Sequence, residues 1–129
     1  MRILLDTHAF LWADGRPERL RGQQALVRAA ETELLVSAVT SWEIAIKYLI
    51  GRLDIPASPV RYVLEAIRLL QATPLPIEHA HALAVAELPM HHRDPFDRLL
   101  IAQAQLLHVP IVTADPAFAD YDVDILAID

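Results

Sequence analysis

The sequence predicts an α/β domain with a mainly parallel central sheet covered by helices on both faces. Short apolar runs such as "RILL", "ELLVS", "PIVT" and "DILAI" lack the strict alternation of a half-exposed strand, as strands buried on both faces do. Longer stretches between them carry apolar residues at helical spacing. Strands alternating with helices build a parallel sheet through crossover connections.

The elements follow in order. "RILLD" is a first strand ending in an acid, and "THAFLWA" gives a helical turn or two. "DGRPERL" turns into a second helix over residues 17–31, and "ELLVSAVT" is the next buried strand. From Ser37 or Thr40 a helix runs through "SWEIAIKYLIGRL", with Ile44, Ala45, Tyr48, Leu49 and Leu53 roughly on one face, until Pro56 stops it. Ser58 caps a further helix with Pro59 at its first position, and Val60, Val63, Leu64, Ile67 and Leu70 form its apolar stripe. "TPLPI" is a brief extended segment, "EHAHALAVAEL" a short helix closed near Pro89, and "PMHHR" a loop. Pro95 to Leu107 is a strong helix, and "VPIVTAD" and "VDILAI" are the last strands. Trp12, Trp42 and Tyr48 stand among apolar neighbours at helical positions and are expected in the core.

With 129 residues and no composition break, the chain reads as one domain, residues 1–129. A chain of this size buries roughly two-thirds of its unfolded surface, enough for a core without staples. There is no cysteine, which removes disulfides and thiolate metal ligands. Without a secretory leader pattern or a long uncharged apolar run, the expectation is a soluble cytoplasmic protein with no membrane partner. The net charge of −6 disfavours non-specific nucleic-acid binding, yet it says nothing of local patches: Arg16, Arg19, Arg21 and Arg28 fall close together.

The pattern of acids carries the chemistry. Asp6 follows the first strand and Asp115 follows "PIVT"; Glu43 lies early in the helix after "LLVS", and Asp97 in the first turn of the helix begun at Pro95. Ligands of open parallel sheets bind beyond the carboxyl ends of the strands, so these four acids share one edge. Each also has a purely structural use. Asp6 suits a helix cap, and Asp115 an Asx-turn before Pro116. Glu43 is either the capping-box partner of Thr40 or a turn further in if Ser37 is the cap. Asp94 suits the N-cap, which puts Asp97 at the third helical position, favoured by the helix dipole. Capping explains Asp94 well; it leaves unexplained why every such element opens with an acid at the same edge. Clustered carboxylates repel, by ~4 kcal/mol for two charges 4 Å apart at an effective dielectric of about 20, unless pKa values rise or a cation binds. An oxygen-only donor set points to Mg²⁺ or Mn²⁺, which suits hydrolysis of a phosphodiester. Among lesser candidates, Thr7 and Thr113 stand beside the acids. Thr113 either meets phosphate or finishes its strand, and Ser37 leans to capping. Arg98 makes either a surface ion pair or a phosphate or partner contact. The six histidines offer a weaker metal site, because His91 and His92 are adjacent and His79 and His81 share no helix face.

The motifs "ILLDTHAFLW", "VSAVTSWEIAIK", "HHRDPFDRLLIAQA" and "IVTADPAF", in this order, resemble those of PIN-domain ribonucleases, specifically toxins of VapBC-type toxin–antitoxin pairs. The resemblance implies a three-layer α/β/α fold and an endoribonuclease dependent on Mg²⁺ or Mn²⁺. It implies Asp6, Asp97 and Asp115 as principal metal holders, with Glu43 binding through water or orienting the nucleophile. It also implies RNA as substrate, a homodimer, and a small antitoxin docking on the helices at residues 17–31 and 40–71. Asp94 matches the "DPFDR" segment as a supporting or capping residue. A receiver-like domain competes less well, since "ILLDTH" supplies one acid where two are wanted and Lys47, the only lysine, is mid-helix. A haloacid-dehalogenase-type phosphatase would need an acid where His8 stands. A catalytically inactive binding domain is the remaining alternative.

Overall fold

The computed structural model describes residues 1–129. Five strands, β1 (Arg2–Leu5), β2 (Glu33–Ser37), β3 (Thr73–Leu75), β4 (Ile111–Thr113) and β5 (Ile125–Ala127), form one sheet in the order β3-β2-β1-β4-β5. Every neighbouring pair is parallel. The helices are α1 (Thr7–Gly15), α2 (Gln24–Arg28), α3 (Ala38–Leu49), α4 (Pro59–Leu70), α5 (His79–Ala84) and α6 (Pro95–Leu107), with 3₁₀ turns at Pro17–Gln23, Val85–Glu87 and Pro116–Asp120. The segment expected only to be extended, Thr73–Leu75, is an edge strand, where Pro74 costs the sheet no interior hydrogen bond.

Alternate residues of each strand serve opposite faces. Ile3, Leu5, Leu34, Val36 and Val112 join a core with Phe10, Leu20, Val27, Val63 and Ala66, beneath α1, α2 and α4. Leu4, Leu35 and Ile111 join the other, with Leu100, Ile101, Ala104 and Phe118, beneath α5 and α6. Helix α3 bridges the layers, giving Ile44 to the first and Val39 to the second. This is the three-layer α/β/α arrangement.

Helix α6 is buried over seven successive residues, Arg98 to Ala104. That requires partners for its polar members. Gln103 accepts a hydrogen bond from Ser37 Oγ at 2.6 Å and donates to the Pro76 carbonyl at 3.2 Å, with His81 Nδ1 3.1 Å away. Two expectations change. The helix over residues 17–31 is broken at Arg21, whose φ of 50° no helix accommodates, leaving a 3₁₀ segment and the short α2. The expected apolar stripes are only partly covered: Val60 and Leu64 of α4 are 71% and 63% exposed, and Trp42 is 53% exposed, against expectations of core packing. Tyr48 and Leu49 also face outward.

The chain builds β1 to β3 outward on one side, then returns to lay β4 and β5 on the other. The order reverses between β1 and β4, so the crevice beyond their carboxyl ends is where such a sheet binds ligands.

Candidate metal centre

Asp6 and Asp115 stand at that crevice because β1 and β4 end there. The Asp6 amide donates to Val112 of β4 at 3.1 Å, and its carboxyl caps α1 by accepting the Ala9 N–H at 2.8 Å. Asp6 is 4% exposed, and burial holds its pKa above the usual carboxylate range despite the Thr113 hydroxyl and the Ala9 N–H. Thr113 also accepts the Asp115 N–H at 3.0 Å. Asp115 caps the following 3₁₀ turn through Ala117 N–H at 2.9 Å, while its other carboxylate oxygen turns into the crevice.

Glu43 comes from α3. Ser37 caps that helix by accepting the Val39 N–H, so Glu43 lies a turn inside rather than in a capping box with Thr40. Glu43 is 3% exposed. Thr7 donates to Glu43 Oε1 at 2.6 Å and lies 3.2 Å from the Thr40 hydroxyl, and the Lys47 ammonium closes an ion pair on Oε2. Ser37 itself spends its hydroxyl on Val39 and Gln103 and is absent from the acid cluster.

Asp94 caps α6, accepting N–H bonds from Phe96 at 2.8 Å and Asp97 at 3.1 Å. Because Asp94 satisfies the Asp97 backbone, the Asp97 side chain is left for the crevice. Burial pushes its pKa up to about 7, reinforced by the negative charges of Asp94, Glu43 and Asp6 and opposed by the hydrogen bond to His92. His92, discounted in the sequence because it adjoins His91, is the histidine that the structure brings to these acids. Its Nε2 lies 2.8 Å from Asp97 Oδ2 and 3.4 Å from Asp115 Oδ2.

Arg98 departs from both expectations for it. It is 7% exposed, pairs with no carboxylate, and donates to the carbonyls of Val85, Leu88, Pro89 and His92 and to the Tyr121 hydroxyl. It fastens the loop that carries His92.

The cluster has the physics of a cation site. Asp6, Glu43 and Asp97 are carboxyl groups withdrawn from water and close enough to raise the cost of one another's ionisation, with Lys47 bonded to Glu43 and His92 to Asp97. Oxygen donors with one imidazole and no thiolate fit a hard or borderline divalent ion. One consequence concerns Asp94. Asp94→Asn should keep the cap and Asp94→Ala should cost ~1 kcal/mol of stability, while both lower the Asp97 pKa by removing a negative neighbour. Thermal melts and a carboxyl-carbon NMR titration of Asp97 would check this; an unmoved Asp97 titration would contradict it.

The PIN domain family model matches residues 3–124. The chain belongs to the PIN-domain family. Ribonuclease VapC16 of Mycobacterium tuberculosis is 38% identical to this PIN domain over 58 residues, 45% of this chain and 41% of that protein. Less than half of that relative's length is thus matched. Among solved structures, VapBC2 from Rickettsia felis bound to a DNA fragment from their promoter aligns over 100% of both chains with a TM-score of 0.73 at 14% identity. DNA-bound VapBC from Salmonella typhimurium aligns over 100% of this chain and 99% of that one, with a TM-score of 0.69 at 15% identity. FitAcB from Neisseria gonorrhoeae covers 95% of both chains at 21% identity, with a TM-score of 0.66. These likenesses show the fold, a central parallel sheet flanked by helices as in the VapBC structures.

Proposed function

We propose that this chain is a single-domain, cytoplasmic endoribonuclease dependent on Mg²⁺ or Mn²⁺, acting as the toxin of a toxin–antitoxin pair. The observation that carries the reading is the desolvated Asp97 carboxyl set against Asp6 and Glu43 at the sheet's switch point. Support comes from the partial match to a ribonuclease and from the whole-chain likeness to VapBC structures. No helix is long and apolar enough to cross a membrane.

Asp6, Asp97 and Asp115 would hold the cation. When bound, it would neutralise phosphodiester charge and acidify an attacking water. Glu43, whose two carboxylate oxygens meet Thr7 and Lys47, would position that water. In-line attack on phosphorus breaks the P–O3′ bond, leaving a 5′-phosphate and a 3′-hydroxyl. The net negative chain still gathers two of its arginines in one concavity. Arg19 and Arg21 line a concavity with Trp12, Ala114 and Asp129, and Arg19 lies over the Trp12 ring at 5.7 Å. Ala114 adjoins Asp115, so this concavity suits a base and phosphate flanking the cleaved bond.

The uncovered apolar residues fit the antitoxin and homodimer contacts expected of such a toxin. Val60, Leu64 and Leu69 edge a groove of about 670 Å³ over α4, with Arg61, Glu65 and Arg68 beside them. The deciding experiment is sequencing of RNA ends after controlled expression and after incubation with purified protein. New 5′-phosphate ends that disappear with EDTA are expected; unchanged RNA with Mg²⁺ and Mn²⁺ present would refute the nuclease reading.

A further inference from the structure

We infer that His92 is a nitrogen ligand of the cation, which makes the centre a mixed imidazole–carboxylate site favouring a first-row transition ion such as Mn²⁺ over Mg²⁺. This rests on the metal-dependent reading above. It adds a ligand from the loop before α6.

The geometry has three parts. First, one ring nitrogen faces two acids contributed by different elements: Nε2 is 2.8 Å from Asp97 Oδ2 and 3.4 Å from Asp115 Oδ2. One donor atom from each of the three residues lies within 4.8 Å of the others. Adjacent ligands of an octahedral ion with bonds of about 2.1 Å stand about 3.0 Å apart, and opposite ones about 4.2 Å. The two spacings from Nε2, 2.8 and 3.4 Å, are of the size that neighbouring ligands of one such ion require, and they join acids from two different elements to the same ring nitrogen.

Second, the loop is built to hold this position. The His92 N–H donates to the Tyr121 hydroxyl at 2.8 Å, and the His92 carbonyl accepts from Arg98 at 3.2 Å. Both anchors are buried, and Tyr121 in turn donates to Pro89 at 3.0 Å. Fixing a residue's amide and carbonyl on either side of its Cα sets the direction of its Cα–Cβ bond and narrows the rotamers open to the ring. The ring also stands 6.1 Å from Phe118, a member of the core beneath α5 and α6.

Third, the chemistry discriminates between ions. Imidazole nitrogen is a softer donor than carboxylate, and transition ions accept it more readily than Mg²⁺, which keeps oxygen and water around it.

The test uses full-length, tag-free protein with Mn²⁺ alone or Mg²⁺ alone. Calorimetry and pulsed electron paramagnetic resonance are applied to the wild type, His92→Ala and Asp97→Asn, with circular dichroism as the folding control. Wild-type protein loaded with Mn²⁺ should show ¹⁴N modulation that vanishes in His92→Ala. Mn²⁺ affinity should fall at least ~10-fold in that variant, since even outer-shell losses cost 10–100-fold, with a smaller change for Mg²⁺. Tyr121→Phe, which leaves the ring itself intact, should weaken the same ¹⁴N signal. Mn²⁺ that binds, depends on Asp97, and shows neither nitrogen coupling nor sensitivity to His92→Ala would overturn the His92 assignment while leaving the carboxylate site standing. Failure of the wild type to bind Mn²⁺ or Mg²⁺, or binding indifferent to Asp97→Asn, would overturn both readings.

Discussion

Asp97→Asn is expected to lower cation-dependent RNA cleavage by about 10²–10³-fold or more, and at the same time to stabilise the metal-free protein. The two effects share one cause. Asp97 has its pKa pushed up to about 7, from an ordinary 3.8, by burial and by the charges of Asp94, Glu43 and Asp6. The folded state therefore holds a proton that the unfolded state has released. The stability associated with that proton is complete below pH ~4 and is lost as pH rises towards ~7. Three pKa units correspond to ~4 kcal/mol, so about 2–4 kcal/mol of it should reappear in Asp97→Asn at pH 8, after allowance for the altered bond to His92. Melts in EDTA from pH 5 to 8 should show wild-type Tm falling with pH and the variant's falling less. A cation at 100-fold its Kd should return ~2.7 kcal/mol to the wild type at pH 8 and little to the variant. Equal cleavage by both proteins would remove Asp97 from the mechanism. Equal pH profiles would mean that the carboxyl is better solvated than its place beside Asp94, Glu43 and Asp6 implies.

What the sequence makes legible follows from which features are topological and which are tertiary. Strand ends are topological: once the βαβ order is read, the residues after β1 and β4 must meet at the switch point, and Asp6 and Asp115 follow. Asp94 and Asp97 are legible because capping positions are local. His92 is not, because a loop residue's ring direction depends on Arg98 and Tyr121, of which Tyr121 lies 29 positions away. Lys47 offered a readable signal, four residues after Glu43 on one helix, where ion pairs form. The apolar faces of α3 and α4 mislead for a different reason. Periodicity shows that Val60, Val63 and Leu64 lie on one broad stripe, but not which edge of it the neighbouring helices cover. Here Val63 and Ala66 are covered, and Val60 and Leu64 are left out. Trp42 is left to pack edge-on against Phe96 at 5.0 Å.

The second large effect concerns Arg98, whose position beside Asp97 conceals a role in folding. A buried guanidinium ordinarily needs a carboxylate. Arg98 uses backbone carbonyls instead, four of them between Val85 and His92, together with the Tyr121 hydroxyl. Those carbonyls belong to a stretch with little regular structure of its own, so the arginine supplies the donors that a helix or strand would have provided. Arg98→Ala removes every one of those donors and opens a cavity against Leu88; a loss of about 3–5 kcal/mol is expected, a large part of a typical domain's stability. Arg98→Met keeps much of the packing and isolates the polar loss, at ~1–3 kcal/mol for the orphaned acceptors. Arg98→Lys offers three donors in place of the planar fork and should fall nearer the wild type without reaching it. Urea titrations would report these as shifts in midpoint at an unchanged slope. In the variants that still fold, His92 loses one of its two backbone anchors, so Mn²⁺ affinity should fall further than Mg²⁺ affinity even though position 98 touches no ligand atom. A loss under about 1 kcal/mol for both Arg98→Ala and Arg98→Met would mean that water replaces the clamp freely. The loop could not then be holding His92 in place.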